Sequence, residues 1–585
     1  MNSPTQIGTV KHVLGSTVTV SLDPSMAGVA PLYRGEVLGV GQIGSLVRIP
    51  QGAVDLVASV TLVGIAELTG PIKPAELIQT GERWLQVQLL GEIDRVSSVF
   101  RRGVGSYPAL DDLVHFATAD DLRCIFPPAD SSSVRVGCLA ASEALPVSMN
   151  LEKFVVRHAA VVGSTGSGKT SAVASILQNI VRGGWRAANI VVIDPHGEYA
   201  HALEEHASVR SVLGGGDNKL RVPYWALPSL DVLRVFCGAT GGATFANRFS
   251  ELVTLERRAF VEACDWLEME ASAITCDTPV PFDIKRVWHR LDSENRETRM
   301  VKSDPATAQM IEPGDPATLT SAVFAPYAAG GGAPHQSPTF NLYGTMPALL
   351  RLGLLDPRLA FFLEPTGDGV DADPLLEVVQ EWVGKLRPIS VLNFSGVPHV
   401  AADLAIGVVL NLLFELSLRS TKGGQGIGRP SPVFIVLEEA HRYLSDTACD
   451  MTRASVNKIA REGRKYGIGL LLVTQRPTEL PDTALAQCGT IVALRLTNAA
   501  DQGAIRSALP DNVSGLASVL PSLRTGEAVI SGEGVILPLR ALLDLPRPMP
   551  LAEDPSLKVW RDSPALVNVE SAIAAWRGIK TEGLG

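Results

Sequence analysis

The spacing of apolar positions changes character along the chain. From residue 7 to about 118 they alternate with polar ones in short runs broken by glycine. Val18-Thr-Val-Ser-Leu22 alternates cleanly, and Gly41-Gln-Ile-Gly-Ser-Leu-Val-Arg-Ile49 reads as a turn entering a strand. Stretches 54–68 and 84–90 continue the pattern. A period of two sends successive side chains to opposite faces, so many short strands at near-regular spacing predict a small β-barrel or sandwich. Pro127-Pro-Ala-Asp-Ser-Ser-Ser133 then reads as a linker. From 155 the pattern becomes strands alternating with helices: an apolar run at 155–162, a Gly-rich loop, a helix over 170–181 and a second buried strand at 190–194. Strand, helix, strand in that order predicts a parallel α/β sheet.

Residues 209–386 are mostly helical by pattern, as at 255–268, with a mobile Gly-rich loop at 328–335. Strand signals return at 389–394, 433–437, 469–474 and 490–496, so a helical subdomain is inserted into the sheet. No internal repeat is present. The expected layout is a barrel at 1–140, a core in two parts at 141–208 and 387–535, the insertion at 209–386, and an extension at 536–585. The most apolar long stretch, 401–418, is interrupted by Asp403, Asn411 and Glu415 and fits a helix of a soluble fold better than a membrane span.

Composition changes this picture little. A length of 585 residues exceeds one hydrophobic core, and 46% hydrophobic with 19% charged residues is ordinary globular usage. Aromatics at 5% disfavour a protein built on stacking single-stranded bases. Seven scattered cysteines with no C-x-x-C pair suggest neither a disulfide frame nor a zinc site. With no basic, apolar leader at the start, the expectation is a reduced, cytoplasmic protein without a membrane partner. A net charge of −10 excludes no partner, because a ring can be acidic outside and basic within.

Gly163-Ser164-Thr165-Gly166-Ser167-Gly168-Lys169-Thr170 matches the phosphate-binding loop, between a strand and a helix. Its glycines let backbone N–H groups face the phosphates, and the following helix, which continues through Ser171, aims its positive end at the same charge. Lys169 would reach the β- and γ-phosphates of ATP, and the Thr170 hydroxyl would bind Mg²⁺. A chance Gly-rich turn is the alternative, and the flanking strand and helix weigh against it.

Val433-Phe-Ile-Val-Leu-Glu-Glu439 is an apolar strand ending in two carboxylates. One acid at such an end holds the metal and the next polarises water, which gives Glu438 and Glu439 those roles. Acids favoured by a helix dipole are the rival reading. Asp194 ends another strand and fits either a water- or metal-orienting acid or a turn-opening Asp before proline. Gln475, in Thr-Gln-Arg-Pro477, fits a γ-phosphate sensor. The basic helix around 453–467 reads equally as a solvated helix with dipole-complementing cations or as the carrier of an arginine finger, Arg464 foremost.

Together Arg157-His158, GSTGSGKT, IDPHGEY, LEEAHRY, AREGRKYG, TQRP, Gln487-Cys488 with LRLTN, and Thr525-Gly-Glu-Ala-Val529 stand in the order of the HerA family. The chain resembles that family over almost its whole length, with Ile7-Gly-Thr-Val10 and Gly41–Ile49 similar to its small amino-terminal (HAS-type) barrel. The resemblance implies a RecA-like P-loop core in a homohexamer that moves duplex DNA through a pore using ATP and Mg²⁺. It also implies Lys169 and Thr170 in the Walker A roles, Glu439 as catalytic glutamate, Arg464 as the trans finger and Arg157 as a second nucleotide-contacting arginine. The extension 536–585 would brace a neighbouring subunit. Members work with a separate effector, a nuclease or a sirtuin-like NAD-consuming enzyme, in DNA repair or antiviral defence. Two features depart from the pattern: Glu438 stands where Asp is usual, and the poly-Gly loop near Gly330 is an addition. An ATPase ring serving mainly as an assembly platform for an effector is the alternative. A transporter-type ATPase would need an L-S-G-G-Q-like signature, which is absent.

Overall fold

The computed structural model describes residues 5–24, 32–33, 36–37, 43–65, 83–363, 373–383, 387–420, 426–445, 448–509, 514–551, 561 and 569–577. The chain divides into a large unit, residues 1–550, and a small one, 551–585, in which helix Glu570–Trp576 is described.

The alternating amino-terminal segment forms a closed barrel. Its strands run, around the ring, Thr17–Leu22, Gln6–Leu14, Leu113–Phe116, Leu46–Gln51, Val54–Ile65 and Arg83–Asp94, which pairs back to Thr17–Leu22. Inward positions Val18, Val20, Val47, Ile49, Leu56, Val60, Leu85 and Val87 are fully or almost fully buried. Burying such a side chain contributes about 1.5–3 kcal/mol, enough in sum to set the register.

Eleven strands form the main sheet, in the order Ser142–Asn150, Ser133–Leu139, Leu539–Leu543, Glu527–Gly532, Thr490–Ala493, Ala159–Val162, Ile468–Thr474, Val433–Leu437, Asn189–Asp194, Ile389–Asn393, Ala207–Ser211. The last seven are parallel, and the first four extend them antiparallel. Alternate side chains enter different cores: Val191 and Ile193 face one, Ile190 and Val192 the other. Helix Lys169–Arg182 covers the second core with Val173, Ile176, Leu177 and Ile180. Helix His399–Arg419 covers the first and packs against helix Asp450–Tyr466. It is the one helix among the described residues long and apolar enough to cross a membrane, but 78% of its apolar window is buried inside the fold.

Three expected boundaries shift. Residue 140 falls inside the hairpin Ser133–Asn150, residue 208 inside strand Ala207–Ser211, and residue 535 before Leu539–Leu543, which belongs to the sheet rather than to an extension. Ala207–Ser211 pairs in the sheet with the distant Ile389–Asn393, and the hairpin Ser133–Asn150 and strand Leu539–Leu543 join the sheet by pairing with each other across the chain, so their few alternating residues carry little local signal. The inserted subdomain does form, leaving the sheet after Ser211 and rejoining at Ile389, with helices Ser229–Cys237, Ala243–Glu262, Ile284–Arg296 and Met346–Leu355. The Gly-rich 328–335 closes on itself, Ala328 N–H donating to the Pro334 carbonyl at 2.9 Å.

Between barrel and sheet lies helix Ala119–Ile125, capped reciprocally by Thr118 and Asp121. Its Leu122 and Ile125 pack with Val57, Leu90 and Ile93 of the barrel and with Val134 and Val136 of the sheet. The barrel is therefore seated on the ATPase core, and residues 127–132 connect two parts already in contact.

Candidate active site

The buried strand Ala159–Val162 delivers the chain to the phosphate loop. A Cβ on Gly163 would lie 2.5 Å from Ser167 Oγ, and Gly168 caps helix Lys169–Arg182 at φ +94°, where other residues are strained. The Gly168 cap makes no side-chain bond, which leaves the first N–H groups of the helix free to meet an anion. Lys169 is buried, its Nζ 3.3 Å from the Ser164 carbonyl. Desolvation lowers its pKa, while Glu438, Glu439 and Glu198 pull the other way. A phosphate chain would supply the countercharge that burial denies it. Around the loop, Ser164 Oγ donates to the Arg495 carbonyl at 3.0 Å and Thr165 Oγ1 to Gln475 Oε1 at 2.7 Å. Gly526 N–H donates to the Ser167 carbonyl at 3.2 Å, and Ser167 Oγ is buried without a partner. Ser171 lies in the first turn of the helix, beside Thr170.

Facing the loop are the acids at the carboxyl-terminal ends of the neighbouring strands. Glu438 is 4% exposed and accepts from the Tyr199 hydroxyl at 2.8 Å. Burial, with Glu439, Asp194 and Glu198 nearby, pushes its pKa up to about 8 despite the Tyr199 bond. A cation beside it would return it to the ionised form. Glu439 sits at φ +52°, a left-handed conformation costly for a residue with a Cβ. Its Oε2 is buried and receives no hydrogen bond; His441 Nδ1 is 3.2 Å away but is directed to Thr474 Oγ1 at 3.1 Å. Burial lowers the His441 pKa more than Glu439 raises it, so His441 is neutral near pH 7. A carboxylate with one free, desolvated oxygen is suited to accept a hydrogen bond from water.

Asp194 is engaged by the backbone of its own loop. Its Oδ1 accepts from the N–H groups of His196, Gly197 and Glu198 at 3.2, 2.8 and 3.3 Å, and its Oδ2 from Tyr199 N–H at 3.0 Å. Fully buried, it organises the loop that carries Glu198 and Tyr199. Glu198 in turn accepts from Thr170 Oγ1 at 2.7 Å. Thr170, Glu438 and Glu439 offer hard oxygen donors beside the phosphate cradle. The free Glu439 oxygen and the buried Glu438 fit Mg²⁺, which takes one or two carboxylates and leaves the rest of its shell to phosphate and water.

Arg157 and Arg464 lie at the other end of the sheet. Arg157 ends helix Leu151–Val156 just before strand Ala159–Val162, and Arg464 is in the last turn of helix Asp450–Tyr466 just before strand Ile468–Thr474. With Arg461, Lys465, Gln487 and Glu533 they line one cleft of about 320 Å³, where Arg157 pairs with Glu533. Between them, buried His158 accepts from Leu470 N–H at 3.0 Å, and desolvation takes its pKa down to about 4. Seven strand residues separate Arg464 from Gln475, a rise of roughly 20 Å at about 3.3 Å per residue, so neither arginine reaches the phosphate loop of its own chain.

Residues Ser164 to Ser171, Asp194, Glu438, Glu439 and Gln475 therefore converge at one end of the sheet, and Arg157 and Arg464 meet at the other. The sequence motifs contain Glu198, Tyr199, Arg495 and the Thr525-Gly526 turn of the first end but assign them no role, and they omit Glu533 at the second. The Gly-Glu-Tyr following Asp194 was the visible trace of two of them; Glu533 left none.

Residues 134–314 match the family model described as the central domain of helicase HerA, and residues 383–535 match the HerA-like C-terminal model. A probable helicase of Methanocaldococcus jannaschii is 24% identical over 497 residues, covering 82% of this chain and 83% of that protein. The DNA double-strand break repair helicase HerA of Pyrococcus furiosus is 23% identical over 487 residues, covering 77% and 76%. Among solved structures, VirB4 of Thermoanaerobacter pseudethanolicus aligns over 71% of this chain and 97% of its own, with a TM-score of 0.42 and 14% identity. The two family models together span more than half the residues and meet at this phosphate loop and acid pair, and the chain belongs to the HerA family of P-loop ATPases, enzymes that hydrolyse ATP.

Proposed function

We propose that this chain is one subunit of a homohexameric ring that drives duplex DNA through its centre with ATP. It works with a separate effector, a nuclease or an NAD-consuming enzyme, in DNA-end processing or antiviral defence. The observation that carries the reading is the split of the catalytic set between the two ends of the sheet. Lys169 binds the β- and γ-phosphates, Thr170 and Glu438 hold Mg²⁺, Glu439 polarises the attacking water, and Gln475 reads the γ-phosphate through its place beside Thr165. Bound Mg²⁺ neutralises charge on the phosphates. The positive charge still missing comes from Arg464 and Arg157 of the adjacent subunit, whose cleft faces outward from their own site. Head-to-tail contacts of this kind close into rings.

Its relatives, a probable helicase and a DNA double-strand break repair helicase, support DNA as the substrate, and the scarcity of aromatics supports duplex over single strands. The barrel, repeated around a ring, forms a collar on which the effector docks, and the chain beyond Pro550 braces a neighbour. The test is duplex-stimulated hydrolysis by rings of known mass, in rising salt. Stimulation that falls steeply with salt and ignores base sequence supports the motor. Effector activation without any stimulation by DNA supports the platform reading instead.

A further inference from the structure

We propose that Glu198 is a further metal-side acid of this ATPase site: its carboxylate, which accepts from the Thr170 hydroxyl, would yield that hydroxyl to Mg²⁺ and act on the ion through its water shell. The inference rests on the assignment of Lys169 and Thr170 to the nucleotide. Two observations carry it. First, Glu198 Oε2 accepts from Thr170 Oγ1 at 2.7 Å, and that hydroxyl is the one a P-loop turns to the cation. Second, the placement is built. Asp194, with no exposure, binds four consecutive N–H groups from His196 to Tyr199, and Gly197 at φ +78° completes the turn. Glu198 stands at the N-cap of helix Tyr199–Leu203 yet makes no capping bond with its side chain, which turns to Thr170 instead.

The same loop delivers Tyr199 to Glu438 at 2.8 Å. Neighbouring residues of one rigid turn therefore hold the two groups assigned to the metal, Thr170 and Glu438. With Glu438 buried and bonded to Tyr199, Glu198, which is only partly buried, is the more accessible carboxylate on the Thr170 side.

The test measures binding of a fluorescent, non-hydrolysable ATP analogue to full-length wild type, Glu198→Gln and Glu198→Ala, first in EDTA and then across a Mg²⁺ titration. Both variants should need roughly tenfold or more Mg²⁺ for half-saturation, the size expected for removing a group from a metal's outer shell. In EDTA they should bind the analogue as tightly as wild type or more tightly, because a negative charge beside the phosphates is gone. A half-saturation within about twofold of wild type overturns the proposal, given the size expected of an outer-shell group. Parallel loss of binding in EDTA and in Mg²⁺ also overturns it, since that marks a collapsed loop. Should wild type itself fail to bind in either condition, the reading of the phosphate loop falls along with Glu198.

Discussion

At the carboxyl-terminal end of the parallel sheet the polar groups are mostly buried, mutually engaged and acidic; at the amino-terminal end the arginines are half-buried or exposed and lightly paired. Glu438 and Asp194 are almost or wholly inaccessible, each tied to the Asp194 loop, and Lys169 is packed among acids. Arg464 is exposed, and Arg157 has a single carboxylate partner, Glu533. The difference is one of preorganisation. The acid end meets its desolvation cost during folding, so little has to move when nucleotide arrives. The arginine end keeps its guanidinium groups in water until a phosphate is brought to them. A site divided in this way remains incomplete in a lone subunit, so hydrolysis becomes sensitive to how subunits stand against one another.

The comparison breaks or sharpens at four points. Lys169→Ala should abolish nucleotide binding, whereas Glu439→Gln should bind and stall, losing ~10²–10⁴ in single-turnover hydrolysis as expected for a lost general base. If Glu439→Gln stays within about threefold of wild type at saturating ATP, the free oxygen at φ +52° is not the base. Next, Arg464→Ala should lose ~10³ in rate while leaving assembly intact. Mixing it with Lys169→Ala subunits should restore part of the activity, measured in rings shown by mass to be mixed; no rescue would put the arginine in cis or in a structural role. A smaller effect is expected from Glu533→Gln, which frees Arg157 from a half-exposed pair and should change hydrolysis by less than about threefold. A large loss there would mean that Glu533 aims Arg157 rather than merely neutralising it.

The last effect is on stability rather than on rate. The pKa of His158 is about 4 in the fold against 6.5 as the ordinary value, so in between the unfolded chain binds the extra proton. Its contribution is complete above about pH 6.5 and is lost as pH falls towards 4, by at most roughly 3 kcal/mol. His158→Gln should shrink the difference in unfolding midpoint between neutral and acid pH. An unchanged difference would show that His158 is not desolvated as the structure has it.

Much of this was legible in the sequence because the chemistry sits in contiguous words. GSTGSGKT and the apolar strand ending in Glu438-Glu439 declare their roles through neighbours in the chain. The barrel was legible from its period of two, which Val18 and Val20 keep by pointing inward. Other features depend on pairs far apart. Thr170 meets Glu198 across a loop, Tyr199 meets Glu438 across 239 positions, and Arg157 meets Glu533 across 376. Asp194 illustrates the limit: a strand-end acid before proline has the same local sequence whether it faces a metal or, as here, four amides of its own loop. Strand Leu539–Leu543 was missed for a related reason, since five alternating residues become a strand only against Ser133–Leu139 and Glu527–Gly532.

Glu439 stands where glycine would rest at ease. Its left-handed backbone is a standing cost to the fold, borne by every copy whether or not it ever turns over a nucleotide. Drift towards greater thermal robustness would favour glycine or asparagine at this position, and each such step would remove the carboxylate. The position thus records an opposition between durability and work, in which a more stable descendant of this chain would be an inert one.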